Sequence, residues 1–107
     1  MKKILLGYFV IISMFLSSIS NAAMLNSSDY TITSYNSGIE YYNKGEYISA
    51  IEEFSRVIAE LPDFAPAYFL RGIIYNDKGE YTSAINDFKK ACDMRNEDGC
   101  KALQIIL

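Results

Sequence analysis

The chain has 107 residues, no histidine and a formal net charge of −3. An acidic chain without a basic cluster is not expected to bind nucleic acid or an anionic membrane surface. The lack of histidine excludes Ser-His-Asp and Cys-His catalysis, and it removes the commonest general base and metal ligand. Composition therefore favours a small domain without an active site.

The first residues have the three-part layout of a secretory signal peptide. Lys2 and Lys3 precede an apolar run at 4–16, and small polar residues follow it. We expect cleavage after Ala22 or Ala23. The competing interpretation is an uncleaved anchor helix, which usually needs about 18 or more apolar residues. No cysteine follows the apolar run, which argues against a lipoprotein. The expected location is secreted or periplasmic, with no membrane insertion after cleavage.

Removing the segment 1–22 leaves a short chain with thirteen acidic and eight basic side chains. A chain of this size forms one small domain that needs efficient packing or a covalent staple. A lead-in segment at 23–30 is followed by two copies of one pattern, at 31–64 and 65–98. The repetition is plainest where KGEYISAI, starting at Lys44, becomes KGEYTSAI, starting at Lys78.

Each copy is predicted to form two helices. Apolar side chains recur at helical spacing on both sides of a short turn. The turns contain Gly45 and Gly79, which suit the left-handed conformation that ends a helix. Pro62 closes the first copy, because proline disfavours helical geometry in the residue before it, whereas Pro66 fits the first turn of the next helix. Helices joined by so short a turn pack antiparallel. The predicted helices cover 33–44, 47–60, 65–78, 81–93 and 99–107.

The copies carry identical residues at four core pairs: Gly38 and Gly72, Tyr41 and Tyr75, Ala50 and Ala84, and Phe54 and Phe88. The glycines are expected to face the alanines where the helices cross. With Tyr68 in the second copy and Pro62 in the first, the pattern resembles the tetratricopeptide repeat, a helix–turn–helix unit. The resemblance implies an all-α fold, an α-solenoid of two tandem hairpins with a capping helix at 99–107. It also places the four pairs in the repeat core, together with Tyr47 and Tyr81.

Some residues depart from the family pattern. Ser34 stands where the family has a large aromatic residue, and Ser37 and Arg71 stand where it has leucine. Asn96 replaces the closing proline of the second copy. These departures concern the outer edges of the array more than the unit itself.

Cys92 and Cys100 are the two cysteines of the chain. Export would place them in an oxidising compartment, where an even number of cysteines favours a disulfide. A redox pair, which usually has C-x-x-C spacing, and a metal site, which would need further ligands, stay open as alternatives. The stretch 89–103 resembles the cysteine-rich Sel1-like repeats, relatives of the tetratricopeptide unit. That resemblance implies that the cysteine pair staples neighbouring helices.

The remaining polar groups show no catalytic pattern. Glu52 and Glu53 are adjacent on a helix and point in different directions, so we expect a solvated face. The turn at 96–99 lacks the alternating ligands of a calcium loop and is expected to cap the fifth helix. The sequence has no glycine-rich phosphate loop. We expect no catalytic residue, no metal and no cofactor.

The family resemblance also implies a concave face that binds a protein or peptide. The positions where some family members grip a terminal carboxylate with lysine and arginine are mostly apolar here. An apolar or amphipathic segment is therefore the expected ligand. Alternatively, some of these rings only stack the two repeats. The expected face consists of Tyr35, Ile39, Tyr42, Asn43, Phe69, Ile73, Asn76 and Asp77.

The predicted function is an exported, non-catalytic adaptor for protein–protein interaction. Two alternatives stay open: a Sel1-like protein with β-lactamase or penicillin-binding activity, and a structural subunit of an envelope complex. Two repeats fall below the three or so that usually give a stable array. The apolar stretch 103–107 is unusual for a terminal helix, which should be polar on its outer side. A homo-oligomer formed through that helix is therefore a further expectation.

Overall fold

A computed structural model describes residues 27–107, and the regular structure in this part of the chain is all helical. The predicted signal peptide lies outside the described residues. The all-α fold class is confirmed, and residues 31–107 form one compact unit. The five helices are α1 Ser27–Asn43, α2 Tyr47–Glu60, α3 Ala65–Asp77, α4 Tyr81–Asp93 and α5 Glu97–Ile106.

The observed helix bounds follow the predicted ones closely, except at the start of α1. That helix begins at Ser27 and not at residue 33, so residues 27–30 of the expected lead-in are helical. Pro66 lies in the first turn of α3, as predicted. None of the helices within residues 27–107 combines the length and the hydropathy that a membrane span requires.

The turns inside the two hairpins have the same backbone geometry. Gly45 and Gly79 adopt left-handed φ angles of 75° and 81°, where a side chain would strain the backbone. After the first glycine, the N–H of Glu46 donates a 2.8 Å hydrogen bond to the carbonyl of Tyr41, and the second turn repeats that bond at the same length. These turns satisfy carbonyls that the helix ends leave unpaired. The predicted role of both glycines is confirmed.

Each hairpin packs a phenylalanine ring directly against a glycine. A Cβ atom on Gly38 would lie 2.9 Å from the ring of Phe54, and one on Gly72 would lie 2.7 Å from the ring of Phe88. The rings, and not the alanines that we expected there, are therefore the nearest neighbours of the glycines. The alanines of both copies are nevertheless fully buried.

The core is continuous from the first hairpin into α3. Phe54, Val57, Ala67 and Ile74 are almost completely buried within it. The prediction for Tyr81 is wrong, because its side chain is 58% exposed. Its counterpart Tyr47 stacks on the ring of Tyr42 at 5.9 Å. The second copy has an asparagine at the position equivalent to Tyr42, so Tyr81 has no equivalent ring to cover it.

Candidate functional site

An open groove of about 490 Å³ lies between α3 and α5. Phe69 and Ile73 of α3 contribute one wall, and Ile105 and Ile106 of α5 contribute the other. Asn76, Asp98 and Lys101 add polar groups to its lining. Three residues of the predicted binding face, Phe69, Ile73 and Asn76, therefore lie together here.

The part of the predicted face on α1 is arranged differently. Tyr35 and Ile39 are half-buried and pack against the hydrophobic core. The ring of Tyr35 meets those of Phe54 and Phe64 edge-on, with centroids 5.7 Å and 5.6 Å apart. Asn43 is exposed at the end of α1. The ring of Tyr35 thus contacts both α2 and the link that leads into α3.

Two predicted ligand contacts, Tyr42 and Asp77, bond to each other. The hydroxyl of Tyr42 donates a 2.7 Å hydrogen bond to Oδ2 of Asp77 and so links the last turns of α1 and α3. The hydrogen bond, with smaller contributions from burial and from the negative charge of Asp77, raises the pKa of Tyr42 to about 12. The bond ties the first hairpin to the second. No sequence signal indicated it directly, because the two residues are offset by one from the repeat period.

The α5 wall of the groove is attached to α4 by a disulfide and a close backbone contact, and a side-chain cap fixes its first turn. Cys92 and Cys100 form a disulfide with a Cα–Cα distance of 4.5 Å, as predicted. The side-chain oxygen of Asn96 accepts a 2.7 Å hydrogen bond from the N–H of Gly99 and caps α5. Gly99 is buried so closely that a Cβ atom there would lie 2.7 Å from Cβ of Ala91. The predicted capping role of the 96–99 turn is confirmed.

A buried charged cluster lies at the meeting point of α2, α3 and α4. Arg71 donates 2.8 Å hydrogen bonds from Nε and Nη2 to the two carboxylate oxygens of Asp87, and a 2.9 Å bond from Nη1 to Oγ of Ser55. The rings of Tyr68 and Tyr75 lie 5.8 Å and 5.9 Å from the guanidinium carbon. The hydrogen bonds to Asp87 raise the pKa of Arg71, although burial opposes them. The guanidinium therefore stays charged and holds three helices together.

The sequence marked Arg71 only as a departure from the family pattern. The missed signal was the carboxylate of Asp87, at a core-facing position of the following helix. Elsewhere in residues 27–107, no group of three or more His, Cys, Asp or Glu side chains could hold a metal ion. Both cysteine sulfurs are taken up by the disulfide.

Residues 65–98 match the tetratricopeptide repeat family. The matched residues span α3, the turn at Gly79 and α4, together with the start of α5. This match supports a repeat protein of the tetratricopeptide type and indicates a role in protein–protein interaction. It stops before Cys100, and the resemblance to Sel1-like repeats stays unconfirmed. No curated protein matches the chain.

Proposed function

We propose that the chain is an exported, non-catalytic adaptor that binds an apolar or amphipathic segment of a partner protein in the α3–α5 groove. The observation that carries this proposal is the pair of apolar walls facing one open space, with Ile73 on α3 and Ile105 on α5. The side chain of Ile105 is 86% exposed. Covering an exposed isoleucine is favourable by about 25 cal/mol for each Å² of apolar surface removed from water.

The chemistry of the lining indicates the kind of segment that fits. The apolar walls suit side chains presented on one face of a helix, at positions i, i+3 or i+4. Asn76 on α3 and Asp98 and Lys101 on α5 provide hydrogen-bonding groups that would orient the segment. The described residues carry thirteen acidic and eight basic side chains. A neutral or basic partner segment is therefore favoured over an acidic one.

Two independent features support the export part of the proposal. The first is the signal-like sequence at residues 1–22. The second is the disulfide between Cys92 and Cys100, because structural disulfides persist in oxidising compartments and are rare in the cytosol. The predicted cleavage after Ala22 or Ala23 is checked by N-terminal sequencing of the mature protein.

Site-specific photocrosslinking tests the binding site directly. We would place benzoylphenylalanine at Asn76, on the groove, in cells that express the full chain. The matched control is Asn86, an exposed asparagine of α4 that lies beside Arg71 and away from the groove. The proposal expects one partner to be crosslinked from position 76 and not from position 86. Equal labelling from both positions, or none from position 76, would contradict it.

The crosslinked partner segment then becomes a synthetic peptide for calorimetry. Ile73→Glu, which introduces a charge into the apolar wall, should weaken its binding at least about tenfold. The control Ile48→Glu changes an isoleucine of α2 that is 67% exposed and lies outside the groove; it should leave the affinity unchanged. If the peptide bound both variants with equal affinity, its binding site would lie outside the groove.

Self-association is a second candidate for the same surface. It is favoured by the exposure of Ile105 and by that of Leu107, which is 81% exposed. In that case, crosslinking from position 76 would give covalent dimers of the chain itself. Light scattering of the exported protein would then show a dimer that Ile105→Glu converts to a monomer, and a monomeric wild type would exclude this candidate.

A further inference from the structure

We propose that the oxidation state of the Cys92–Cys100 pair controls whether the α3–α5 groove exists. The disulfide holds the α5 wall in place, and a dithiol reductant that cleaves it releases that wall. The regulatory meaning of this change rests on the proposed function, whereas the release of α5 does not depend on any ligand.

Apart from the disulfide, α5 is held by its packing on α4, which is closest at Gly99 and Ala91. The helix has 10 residues, of which Gly99 is buried, while Ala102, Leu103 and Ile106 are half-buried. An isolated helix shorter than about 12–15 residues is marginal in water. Its distal half is especially exposed, as the 86% exposure of Ile105 shows. We therefore expect packing to hold α5 less firmly than it holds α3, and the disulfide to supply the difference.

The opposite wall is anchored by the core. Ile74, next to the groove residue Ile73 on α3, is 1% exposed. Ala67 and Gly72 of the same helix are also buried. Losing the disulfide should therefore release one wall of the groove and leave the other in place. Reduction of the cysteine pair should therefore open the groove without unfolding the rest of the domain.

The disulfide joins the end of α4 to the start of α5 and therefore fixes where the α5 wall begins. Cys92 lies in the last turn of α4 and Cys100 in the first turn of α5. The groove residues Ile105 and Ile106 follow on the same short helix. Their place opposite α3 is thus set through α4, by the bond between the two cysteines and by the contact of Gly99 with Ala91.

The reaction is an ordinary thiol–disulfide exchange. A thiolate of the dithiol attacks one sulfur of the pair, forms a mixed disulfide and expels the other cysteine as a thiolate, which takes up a proton. The second thiol of the reductant, as its thiolate, then attacks the reductant's own sulfur in the mixed disulfide, which closes the reductant into a cyclic disulfide and expels the remaining cysteine as a thiolate that takes up a proton. The chain gains two electrons and two protons, and the dithiol loses the same. Cys92 and Cys100 are both half-buried, so small dithiols can reach them.

Amide hydrogen exchange of the exported chain, with and without dithiothreitol, tests the proposal. Closing a short loop stabilises by an amount that corresponds to roughly a 30-fold or larger change in the opening equilibrium. The amides of residues 101–106 should therefore exchange roughly 30-fold faster, or more, after reduction, whereas that of Ile74 should not change. Unchanged exchange in α5 would overturn the proposal. Equal loss of protection in every helix would also overturn it, because the bond would then hold the whole fold.

The double variant Cys92→Ser/Cys100→Ser provides the control for the reductant itself. Without dithiothreitol it should exchange like the reduced wild type, and adding dithiothreitol should change nothing further. A variant whose α5 stays as protected as in the oxidised chain would contradict the proposal.

Binding is measured separately, with the synthetic segment identified by crosslinking at position 76. Its affinity for the reduced chain should fall at least about tenfold, because release of the wall leaves about a tenth or less of the reduced chain competent to bind. Equal affinity in both oxidation states would overturn the regulation. Failure of the oxidised chain to bind any segment would overturn the proposed function, while the exchange rates would still decide whether the disulfide holds the wall.

Discussion

The chain joins its helices into an array at two equivalent places, and it does so by different means. At the first junction, between α2 and α3, Ile58 packs against the core and Pro66 starts the next helix. At the second junction, between α4 and α5, the repeat places Cys92 and Cys100 at the two equivalent positions. A packed side chain and a proline at one junction correspond to a covalent bond at the other.

The two junctions differ in the amount of apolar surface that they bury. The first junction is covered by the rings of Tyr35 and Phe64, and the hydroxyl of Tyr68 donates a 2.9 Å hydrogen bond to the carbonyl of Pro62. At the second junction α5 buries fully only Gly99. A repeat edge with little apolar surface is thus fixed by a disulfide and a helix cap.

The charged pairs of the two copies also differ, because one is buried and the other is partly exposed. Asp87 is buried and bonded by Arg71 in the second copy. The equivalent residue of the first copy, Glu53, forms a 2.9 Å pair with Arg56, whose side chain is 54% exposed. Although the side chain of Glu53 is only 15% exposed, water reaches the guanidinium of Arg56, so this pair contributes less to stability than a buried one. We therefore expect the two pairs to respond very differently to substitution.

Removing the side chain of Arg71 should cause the largest loss of stability. Arg71→Ala leaves the carboxylate of Asp87 buried without its partner, which should lower the free energy of unfolding by about 3–5 kcal/mol. Arg56→Ala, the matched change at the surface pair, should cost less than about 1 kcal/mol. Urea unfolding of both variants measures the difference, and equal losses would show that the two charged pairs stabilise the fold equally.

The close approach at the second junction should give the next largest effect. Gly99→Ala would place a Cβ atom 2.7 Å from Cβ of Ala91 and 3.2 Å from the backbone nitrogen of Cys92, so α5 must move away from α4. We expect a loss of about 1–3 kcal/mol in thermal or urea unfolding, partly offset by the better helix propensity of alanine. Gln104→Ala, at an exposed position of the same helix, should change stability by less than about 0.5 kcal/mol. A Gly99→Ala variant as stable as wild type would show that the contact is loose.

The cap of α5 is expected to contribute less. Asn96→Ala removes the side-chain bond to the N–H of Gly99, which should cost about 1 kcal/mol. Glu46 occupies the same position before α2 but makes no side-chain capping bond. Glu46→Ala should therefore be nearly neutral. If both substitutions lowered the free energy of unfolding in urea equally, the capping bond of Asn96 would not be a source of stability specific to the second junction.

The smallest expected effect is the loss of stability when Tyr42 ionises at high pH. The pKa of Tyr42 is raised from 10.0 to about 12. Because the folded value is the higher one, the stabilising contribution of the hydrogen bond is complete below pH 10 and is lost as the pH rises through 12. Asp77→Asn should bring the pKa of Tyr42 back towards its ordinary value. Ring-carbon chemical shifts of Tyr42 across a pH titration measure this, and an identical titration in the variant would rule out the Asp77 bond as the cause.

Much of the fold could be predicted from local sequence signals. Helical spacing and the two turn glycines predicted the helix boundaries closely, except at the start of α1. The disulfide was also predicted, from the even number of cysteines in a chain expected to be exported and from the resemblance to Sel1-like repeats. These features depend on neighbouring residues and on general chain geometry.

The site was harder to predict, because it depends on contacts between distant helices. The bond from Tyr42 to Asp77 and the cluster around Arg71 both join elements that only the packed structure brings together. The exposure of Tyr81 depends on a single substitution elsewhere, the asparagine that replaces the ring of Tyr42. The groove combines an α3 wall expected to face the ligand with an α5 wall that the sequence marked only as apolar.

The most direct test of the binding account is chemical-shift mapping of the oxidised chain with the crosslinked partner segment. Binding in the groove predicts that the largest shift changes fall at Phe69, Ile73 and Ile105. Changes confined to α2 and the outer side of α4 would contradict it.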